Sequence, residues 1–243
     1  MKLWIGCSGY QYSAWKGTFY PDNIAQSKWF QYYAEQFNSV EINYTFYSFP
    51  RASTMEKWRI QAPEGFRYSL KAPRFITHYH QFTNTEQKVH DFYQLADILE
   101  DKLGCILFQF PAKTRYDPDL LNRILDQLNP RYKNVLEFRH PSWWKEEIYQ
   151  ALYKANISFC HLSAPVAFPD HHNPESQFYL RLHGTEGWYR GSHATEFQDW
   201  LSAIKASKAQ EAWVYFNNTM KADAIHDAKH LQELVDELKG LSS

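Results

Sequence analysis

The sequence has few cysteines, almost no net charge and no long apolar run, and each shortage excludes a class of protein. The 3 Cys residues, at positions 7, 105 and 160, form no CxxC pair, so we expect reduced thiols packed as small hydrophobic groups. A net charge of −1 provides no overall attraction to nucleic acid or membranes. The apolar run before Cys7 is too short for a signal peptide, and no stretch approaches the ~18 apolar residues of a membrane span. We therefore expect a cytoplasmic protein without a membrane partner.

Several catalytic motifs are also absent from the sequence. No GxGxxG turn follows the first apolar strand, which argues against a dinucleotide-binding sheet. No GxSxG elbow supports a nucleophilic serine, and no HExxH helix supports a zinc site. Aromatic residues, in contrast, reach 18%. They indicate a bulky core, and Tyr and Trp also suit wet cavities because each carries a polar tip.

Eight short apolar segments alternate with helical segments along the whole chain. At 243 residues, this alternation favours a closed, parallel (β/α)8 TIM-like barrel over an open sheet. No linker or low-complexity tract divides the sequence, so we predict one α/β domain over residues 1–243. The predicted strands cover residues 3–8, 39–47, 66–71, 105–110, 134–140, 157–162, 178–183 and 212–217.

The helices are predicted from apolar residues at helical spacing and from end signals. Ser53 to Glu56 has the spacing of a capping box, and Gly104 is placed to end the long helix predicted over 85–103. Asp117 followed by Pro118 provides a cap and a first-turn proline for the next helix, and Ser142 is placed to cap the helix that starts at Trp143. The loop 164–174, which contains His171 and His172, has a weak helical signal, and both histidines are expected to be solvated. The predicted helices cover residues 27–37, 53–61, 85–103, 118–128, 143–154, 195–206 and 223–238.

The segment from Asn134 to Trp143 places a carboxylate and a guanidinium two residues apart at a strand end. Strand side chains alternate, so Glu137 and Arg139 share one face of this strand. In a barrel that face lines the interior, and the functional site lies at the carboxyl ends of the strands. The other strands repeat this layout. The predicted interior positions near the strand ends are Gly6, Ser8, Glu41, Asn43, Ser69, Lys71, Gln109, Glu137, Arg139, His161, Arg181, His183, Tyr215 and Asn217.

These polar side chains predict a solvated pocket for an anionic, phosphorylated small substrate. Arginine forks suit phosphate and carboxylate groups, so a surplus of cations would hold the anion while a carboxylate transfers protons. Loop aromatics would stack beside the cations. The predicted catalytic residues are Glu137, Glu41, Lys71 and His183, and the predicted substrate-binding residues are Arg139, Arg181, Asn43, Gln109, His161, Tyr215, Asn217, Tyr10 and Trp15.

Other interpretations of the same residues stay open. The charges could form a closed net of Glu137–Arg139 and Glu41–Lys71 pairs that keeps the interior neutral. A depressed pKa would let Lys71 form a Schiff base. The chain could also be a nucleic-acid-binding protein or endonuclease-like barrel, or a binding protein without catalysis. No cofactor is predicted; a divalent metal is the alternative, with Glu41, Glu137, His161 and His183 as ligands.

Eight short motifs also stand in a fixed order along the chain. They are GCSGY at 6–10, WKGTFYP at 15–21, VEINYTFY at 40–47, KAPR at 71–74, QFP at 109–111, EFRH at 137–140, RLHG at 181–184 and YFNN at 215–218. Together they resemble the YecE-like family, domain of unknown function 72, over essentially the full length. The resemblance implies a TIM-like barrel and supplies no reaction. The main local departure is Tyr10, where the family motif usually carries Trp.

Overall fold

The computed structural model describes residues 1–164 and 177–240. Eight parallel strands form one sheet whose neighbours follow the order β1-β8-β7-β6-β5-β4-β3-β2. This arrangement, with helices between the strands, confirms the predicted (β/α)8 barrel. The strands are β1 (Lys2–Cys7), β2 (Ser39–Ile42), β3 (Arg67–Lys71), β4 (Leu103–Gln109), β5 (Asn134–Glu137), β6 (Ile157–Ser163), β7 (Gln177–Leu182) and β8 (Glu211–Phe216).

The helices form the outer layer of the barrel. α5 begins at an Asp117 cap followed by Pro118, as the sequence predicts, and the Asp117 side chain accepts a hydrogen bond from the Asp119 amide. The bounds are α1 (Trp29–Gln36), α2 (Tyr44–Tyr47), α3 (Ala52–Gln61), α4 (Glu86–Asp97), α5 (Pro118–Gln127), α6 (Glu146–Lys154), α7 (Phe197–Ala206) and α8 (Asp223–Gly240). None of the helices within residues 1–164 and 177–240 has the length and apolar content that crossing a bilayer requires.

Side chains close the barrel between β1 and β2. Asn38 Oδ1 accepts from the Ile5 amide at 2.8 Å, and Asn38 Nδ2 donates to the Leu3 carbonyl at 3.0 Å. Strands β1 and β2 approach so closely here that a Cβ on Gly6 would lie 1.9 Å from the Ser39 carbonyl oxygen. Glycine is therefore required at position 6 by space rather than by backbone conformation.

Two cores result, one outside the strands and one inside the barrel. The outer core packs the strands on the helices and includes Cys7, whose thiol donates to the Ala224 carbonyl of α8 at 3.6 Å. Cys7 thus faces the helices as predicted, and all three cysteines are free. The inner core comprises Trp4, Cys105, Leu107, Val135, Cys160, Leu162, Tyr179, Trp213 and Tyr215.

Several predicted boundaries are wrong. The second strand ends at Ile42 because the chain turns into α2, where the Thr45 hydroxyl donates to the Ile42 carbonyl. The helix predicted over 85–103 ends at Asp97, and Gly104 lies in β4, where an added Cβ would meet the Trp213 ring at 2.7 Å.

The regions around the other two predicted caps and the sixth loop also differ from expectation. Helix α3 is capped at Arg51 without a side-chain hydrogen bond, so no capping box forms. A 3₁₀ turn, Pro141–Trp143, precedes α6, which begins at Glu146 rather than Trp143. Most of the loop 164–174, with His171 and His172, lies outside the described residues.

Candidate functional site

A cavity of about 280 Å³ opens at the carboxyl ends of the strands, where the fold class places active sites. We call it the mouth cavity. Its lining comes from the ends of β3 and β7 and from the loops after β1, β2, β7 and β8. The lining residues are Tyr12, Asn43, Phe46, Tyr47, Lys71, Arg181, Tyr189, Asn217 and Thr219.

Beneath this cavity, two carboxylates and two guanidiniums form a continuous chain of ion pairs. Arg181 binds Glu41 through two nitrogens, with Nε at 2.9 Å from Oε2 and Nη2 at 2.7 Å from Oε1. Arg181 Nη1 donates to Glu137 at 2.5 Å, and Arg139 Nε donates to the other Glu137 oxygen at 2.7 Å. The Tyr179 hydroxyl adds a 2.7 Å hydrogen bond to Glu41. We call Glu41, Arg181, Glu137 and Arg139 the charge chain.

The central members of the charge chain, Arg181 and Glu137, are occupied by their contacts with one another and with their neighbours. Both carboxylates are fully buried, and all three side-chain nitrogens of Arg181 are engaged. Burial alone would raise the pKa of Glu137, but Arg181 and Arg139 outweigh it and hold that pKa well below its usual range. A carboxylate in this state is a weak base near neutral pH. The geometry therefore favours a structural role for Arg181 and Glu137 over substrate binding and proton transfer.

The expected salt-bridge net is formed in part, with a change of partners. The predicted Glu137–Arg139 pair is present. Glu41, however, pairs with Arg181 and not with Lys71. Within the described part of the chain, the Lys71 ammonium has no hydrogen bond or ion pair, and its Nζ lies 4.0 Å from the centre of the Phe46 ring. Lys71 is thus a cation at the mouth cavity without a carboxylate partner of its own.

The environment of Lys71 lowers the pKa of its amine towards 7. Burial is the largest cause and Arg181 is the second, and together they lower the pKa of Lys71 to about 7 against the opposing effect of Glu137 and Glu41. An amine with this pKa exists in both protonation states near neutral pH, which a group that exchanges protons requires.

His183 lies beside the same cluster in its neutral form. Asn217 Nδ2 donates to His183 Nδ1 at 2.9 Å, which places the proton on Nε2. This buried Nε2 has no hydrogen-bond partner among the described residues. Burial first, and Arg181 second, lower the pKa of His183 well below its usual value. Neutral His183 therefore offers a single N–H donor rather than a positive charge.

Two further cations lie next to residues of this region. The Arg139 guanidinium lies 4.6 Å from the Trp188 ring centre, and Arg74 lies between the rings of Tyr47 and Tyr79 at 5.5 and 5.4 Å. Burial and then Lys71 lower the pKa of His78 to about 4, so His78 is neutral near pH 7. With two carboxylates matched by two guanidiniums, Lys71 and Arg74 give this region a surplus of positive charge.

The remaining predicted residues divide into two groups. Asn43 and Asn217 line the cavity. Gln109 is buried and donates to the Phe110 carbonyl at 2.5 Å. Tyr215 is fully buried inside the barrel, with its hydroxyl 2.6 Å from Ser39 Oγ and 2.8 Å from Ser69 Oγ. Of these four residues, the two asparagines are therefore the ones positioned for contact with a ligand in the mouth cavity.

Two predicted positions are wrong. His161 does not face the interior, because its ring stacks on Phe178 at 3.9 Å and meets Trp200 of α7 edge-on at 6.4 Å. Its neighbours Cys160 and Leu162 take the interior positions of β6. Trp15 is fully buried and its Nε1 donates to the Lys221 carbonyl at 2.9 Å. Trp15 therefore holds the first loop in place instead of contacting a ligand.

Tyr10 and the missed residues complete the lining of this region. Tyr10 borders a second cavity on the β2 side of the mouth and packs edge-on against Phe30 at 5.4 Å. Tyr12, one of the loop aromatics expected to stack beside the cations, lines the mouth cavity, whereas sequence reasoning did not select Tyr189 or Thr219, which line it too. Both lie in the loops that follow β7 and β8, and strand alternation gives no information about loop residues.

The proposed metal ligands do not converge. His161 points to the helix layer, away from Glu41, Glu137 and His183. Across residues 1–164 and 177–240, no group of three or more His, Cys, Asp or Glu side chains is arranged to hold a metal ion.

Fold and site together define a (β/α)8 barrel with a cationic cavity at its carboxyl-terminal mouth. Comparison with known proteins gives the family. Residues 4–242 match the family model described as "Protein of unknown function DUF72". The chain belongs to this family, which confirms the resemblance seen in its motifs.

Relatives and solved structures agree with this assignment. The chain is similar to the UPF0759 protein YunF of Bacillus subtilis, at 25% identity over 99% of this chain and 97% of that protein. It is 32% identical to the UPF0759 protein YecE of Escherichia coli K12 over 46% of this chain and 42% of YecE. A DUF72 family protein from Thermotoga maritima superposes with a TM-score of 0.84 at 25% identity, covering 97% of this chain and all of that one.

A more distant neighbour shows the fold alone. The 3-keto-D-glucoside 4-epimerase YcjR of Escherichia coli superposes with a TM-score of 0.58 at 12% identity, over 98% of this chain and 99% of that one. At this identity the match supports the barrel architecture and carries no activity over to the present chain.

Proposed function

We propose that this protein is an enzyme that binds an anionic small molecule in the mouth cavity and uses Lys71 to exchange a proton with it. The observation that carries the proposal is Lys71 itself, a cation without a carboxylate partner, with a pKa of about 7, on the wall of a 280 Å³ cavity. Its neutral amine can accept a proton from a bound hydroxyl or carbon acid, and its ammonium can return the proton.

The charge chain has a supporting role in this proposal. Arg181 and Arg139 together neutralise two buried carboxylates, so Glu41 and Glu137 serve as fixed ion-pair partners and not as the proton carriers that the sequence suggested. Arg181 also helps to depress the pKa of Lys71. Arg139 has only its Nε engaged by Glu137 and is 16% exposed, so its outer nitrogens remain available to an anion that enters the cavity.

The test is calorimetric titration of inorganic phosphate and phosphorylated sugars into the wild type, Lys71→Met and Lys154→Met. Lys154 is an exposed residue at the end of α6 and serves as the matched control for loss of a lysine charge. We expect Lys71→Met to weaken phosphate binding by about tenfold or more, since an ion–anion hydrogen bond is worth roughly 1.5–3 kcal/mol. Lys154→Met should bind like the wild type. Equal binding by Lys71→Met would overturn the proposal.

A thermal-shift panel provides the first screen for the ligand. A ligand at ~100 times its dissociation constant stabilises the native state by about 2.7 kcal/mol. For a chain of this size that corresponds to a rise in Tm of roughly 5–11 °C.

A second candidate, a single-strand nucleic-acid binder, is favoured by one observation. Tyr47 and Tyr79 are 66% and 64% exposed on either side of Arg74, and exposed rings beside cations are how such proteins stack bases. A short oligonucleotide whose affinity falls steeply with salt, and falls further in Arg74→Gln, would favour this candidate. Absence of oligonucleotide binding would eliminate it.

A further inference from the structure

A second cavity, of about 380 Å³, adjoins the mouth cavity on the β2 side. We call it the aromatic groove. Its walls include the rings of Tyr10, Tyr12, Tyr44 and Trp58, with Thr54 and Asn43 supplying neutral polar groups. None of the described residues that line it is charged. The groove therefore differs in chemistry from the cationic cavity beside it.

The two cavities share two lining residues. Tyr12 and Asn43 line both the aromatic groove and the mouth cavity. The Tyr12 hydroxyl donates to the Ser8 carbonyl at 2.6 Å, which fixes its ring at the boundary. The two cavities are therefore adjacent, and a ligand with one part in each would cross this boundary.

Asn43 presents an unused acceptor at the same boundary. Its Nδ2 lies 3.4 Å from the Ser8 carbonyl, while its Oδ1 is buried and has no hydrogen-bond partner in the described part of the protein. Buried polar atoms normally have a partner. A ligand hydroxyl or N–H group at the junction of the two cavities would satisfy this oxygen.

The walls of the groove are held by packing against the core. Trp58 stacks with Tyr68 at 6.0 Å, and Tyr10 packs edge-on against Phe30 at 5.4 Å. Thr54 and Trp58 stand four residues apart, on the same face of α3. Preformed aromatic walls with a few neutral hydrogen-bonding groups suit an uncharged ring that has a flat face and a polar edge.

We propose that the ligand of this barrel has two linked parts, an anionic group in the mouth cavity and an uncharged polar ring in the aromatic groove. The anionic half rests on the proposed function, and the ring half rests on the groove alone. A sugar phosphate and a nucleotide share this chemistry. The proposal thus narrows the substrate class from any small anion to a ring-bearing one of these two kinds.

The experiment titrates phosphate, glucose 6-phosphate, AMP, glucose and adenosine into the wild type and three variants. Thr54→Phe fills the groove from a half-buried helix position, and Trp58→Ala removes one wall. Ser53→Phe adds the same bulk at the exposed neighbouring residue, which does not line the groove. Circular dichroism melts of each variant show that the fold is kept.

We expect glucose 6-phosphate or AMP to bind wild type more tightly than phosphate does, and the tighter of the two identifies the ring. Thr54→Phe and Trp58→Ala should weaken binding of that ligand about tenfold or more, since the first fills the space of the ring and the second removes a surface on which it stacks. Phosphate binding should change by less than twofold, and Ser53→Phe should change nothing. The inference is overturned if neither ring-bearing phosphate binds more tightly than phosphate, or if Thr54→Phe leaves its binding intact.

This design separates the two proposals. Loss of phosphate binding in Lys71→Met, with no effect of the groove variants on any ligand, keeps the proposed function and rejects the groove. Binding of glucose or adenosine that is sensitive to Thr54→Phe, in a wild type that does not bind phosphate, keeps the groove and rejects the anion site. If none of the five ligands binds, both are rejected.

Discussion

The two ends of the barrel interior are filled in opposite ways. At the amino-terminal end, which we call the floor, Trp4 and Trp213 stack with ring centres 5.1 Å apart and planes at 17°. Lys2 lies 4.2 Å from the Trp4 ring and Lys133 lies 5.4 Å from the Trp213 ring. Lys133 also forms an ion pair with Glu211, which accepts a hydrogen bond from Trp4. At the floor, packed aromatic rings exclude water from the barrel interior, and the charged groups lie at the partly exposed edge of this packing.

At the mouth, the charges themselves are buried. Arg181 is 1% exposed between two fully buried carboxylates, whereas the charged groups at the floor are partly exposed. Buried ion pairs are poor sources of stability compared with apolar packing, because desolvation offsets much of their attraction. A barrel that needed only stability could fill both ends with aromatic rings. This contrast follows the division expected for the architecture, in which the amino-terminal end contributes stability and the carboxyl-terminal end holds the site.

The largest expected effect comes from breaking the charge chain at its centre. Arg181→Leu leaves Glu41 and Glu137 buried without their shared partner, and loss of one member of a buried pair costs about 3–5 kcal/mol. We expect the upper end of that range, because two carboxylates lose a partner. Urea unfolding at pH 7 measures the change. In the double variant Arg181→Leu/Glu41→Gln, part of the lost stability should return. A loss below about 1 kcal/mol would show that water solvates the carboxylates.

A change at the floor should reduce stability without reducing ligand binding. Trp213→Ala removes a fully buried ring, and such truncations cost about 3–5 kcal/mol. Phosphate affinity should stay within a factor of about two at a temperature where the variant is folded, because no ion pair among the described residues links the floor to the mouth. Urea unfolding and calorimetry report the two quantities. An equal loss of affinity would mean that the two ends are coupled, and it would contradict the division drawn above.

Much of the barrel was predictable because strand ends are marked by local chemistry. Asp117 with Pro118 starts α5 as expected, and the alternation of Glu137 with Leu136 placed the carboxylate inside the barrel, where Arg181 binds it. The alternation rule failed on β6, where Cys160 and Leu162 face inward and His161 faces outward. Both faces of a barrel strand are buried, so polarity alone does not decide which face lines the interior.

The pairing of charges was less predictable than their location. The sequence shows that Lys71, Arg139 and Arg181 lie near Glu41 and Glu137, but not which cation each carboxylate selects. The pairing depends on the stagger between strands that are distant in sequence. In the structure, the Arg181 guanidinium binds Glu41 through two nitrogens, and Lys71 lies over the Phe46 ring instead of pairing with Glu41. The sequence also did not indicate that residues 44–47 form the helix α2, because their alternating pattern fits a strand equally well.

The smallest effect, and the sharpest test of the mouth, is the pH dependence of stability that Lys71 contributes. Its folded pKa of about 7 lies below the ordinary value near 10.4, so between these limits the unfolded chain holds a proton that the folded chain has lost. Stability must then rise with pH above 7, by up to about 1.4 kcal/mol per unit. The free energy of unfolding of wild type minus that of Lys71→Met should therefore increase between pH 7 and 9, whereas the same difference for Lys154→Met should stay flat. A flat difference for Lys71→Met would mean that its amine keeps an ordinary pKa, and the mouth would lose the proton-exchanging group on which its proposed function depends.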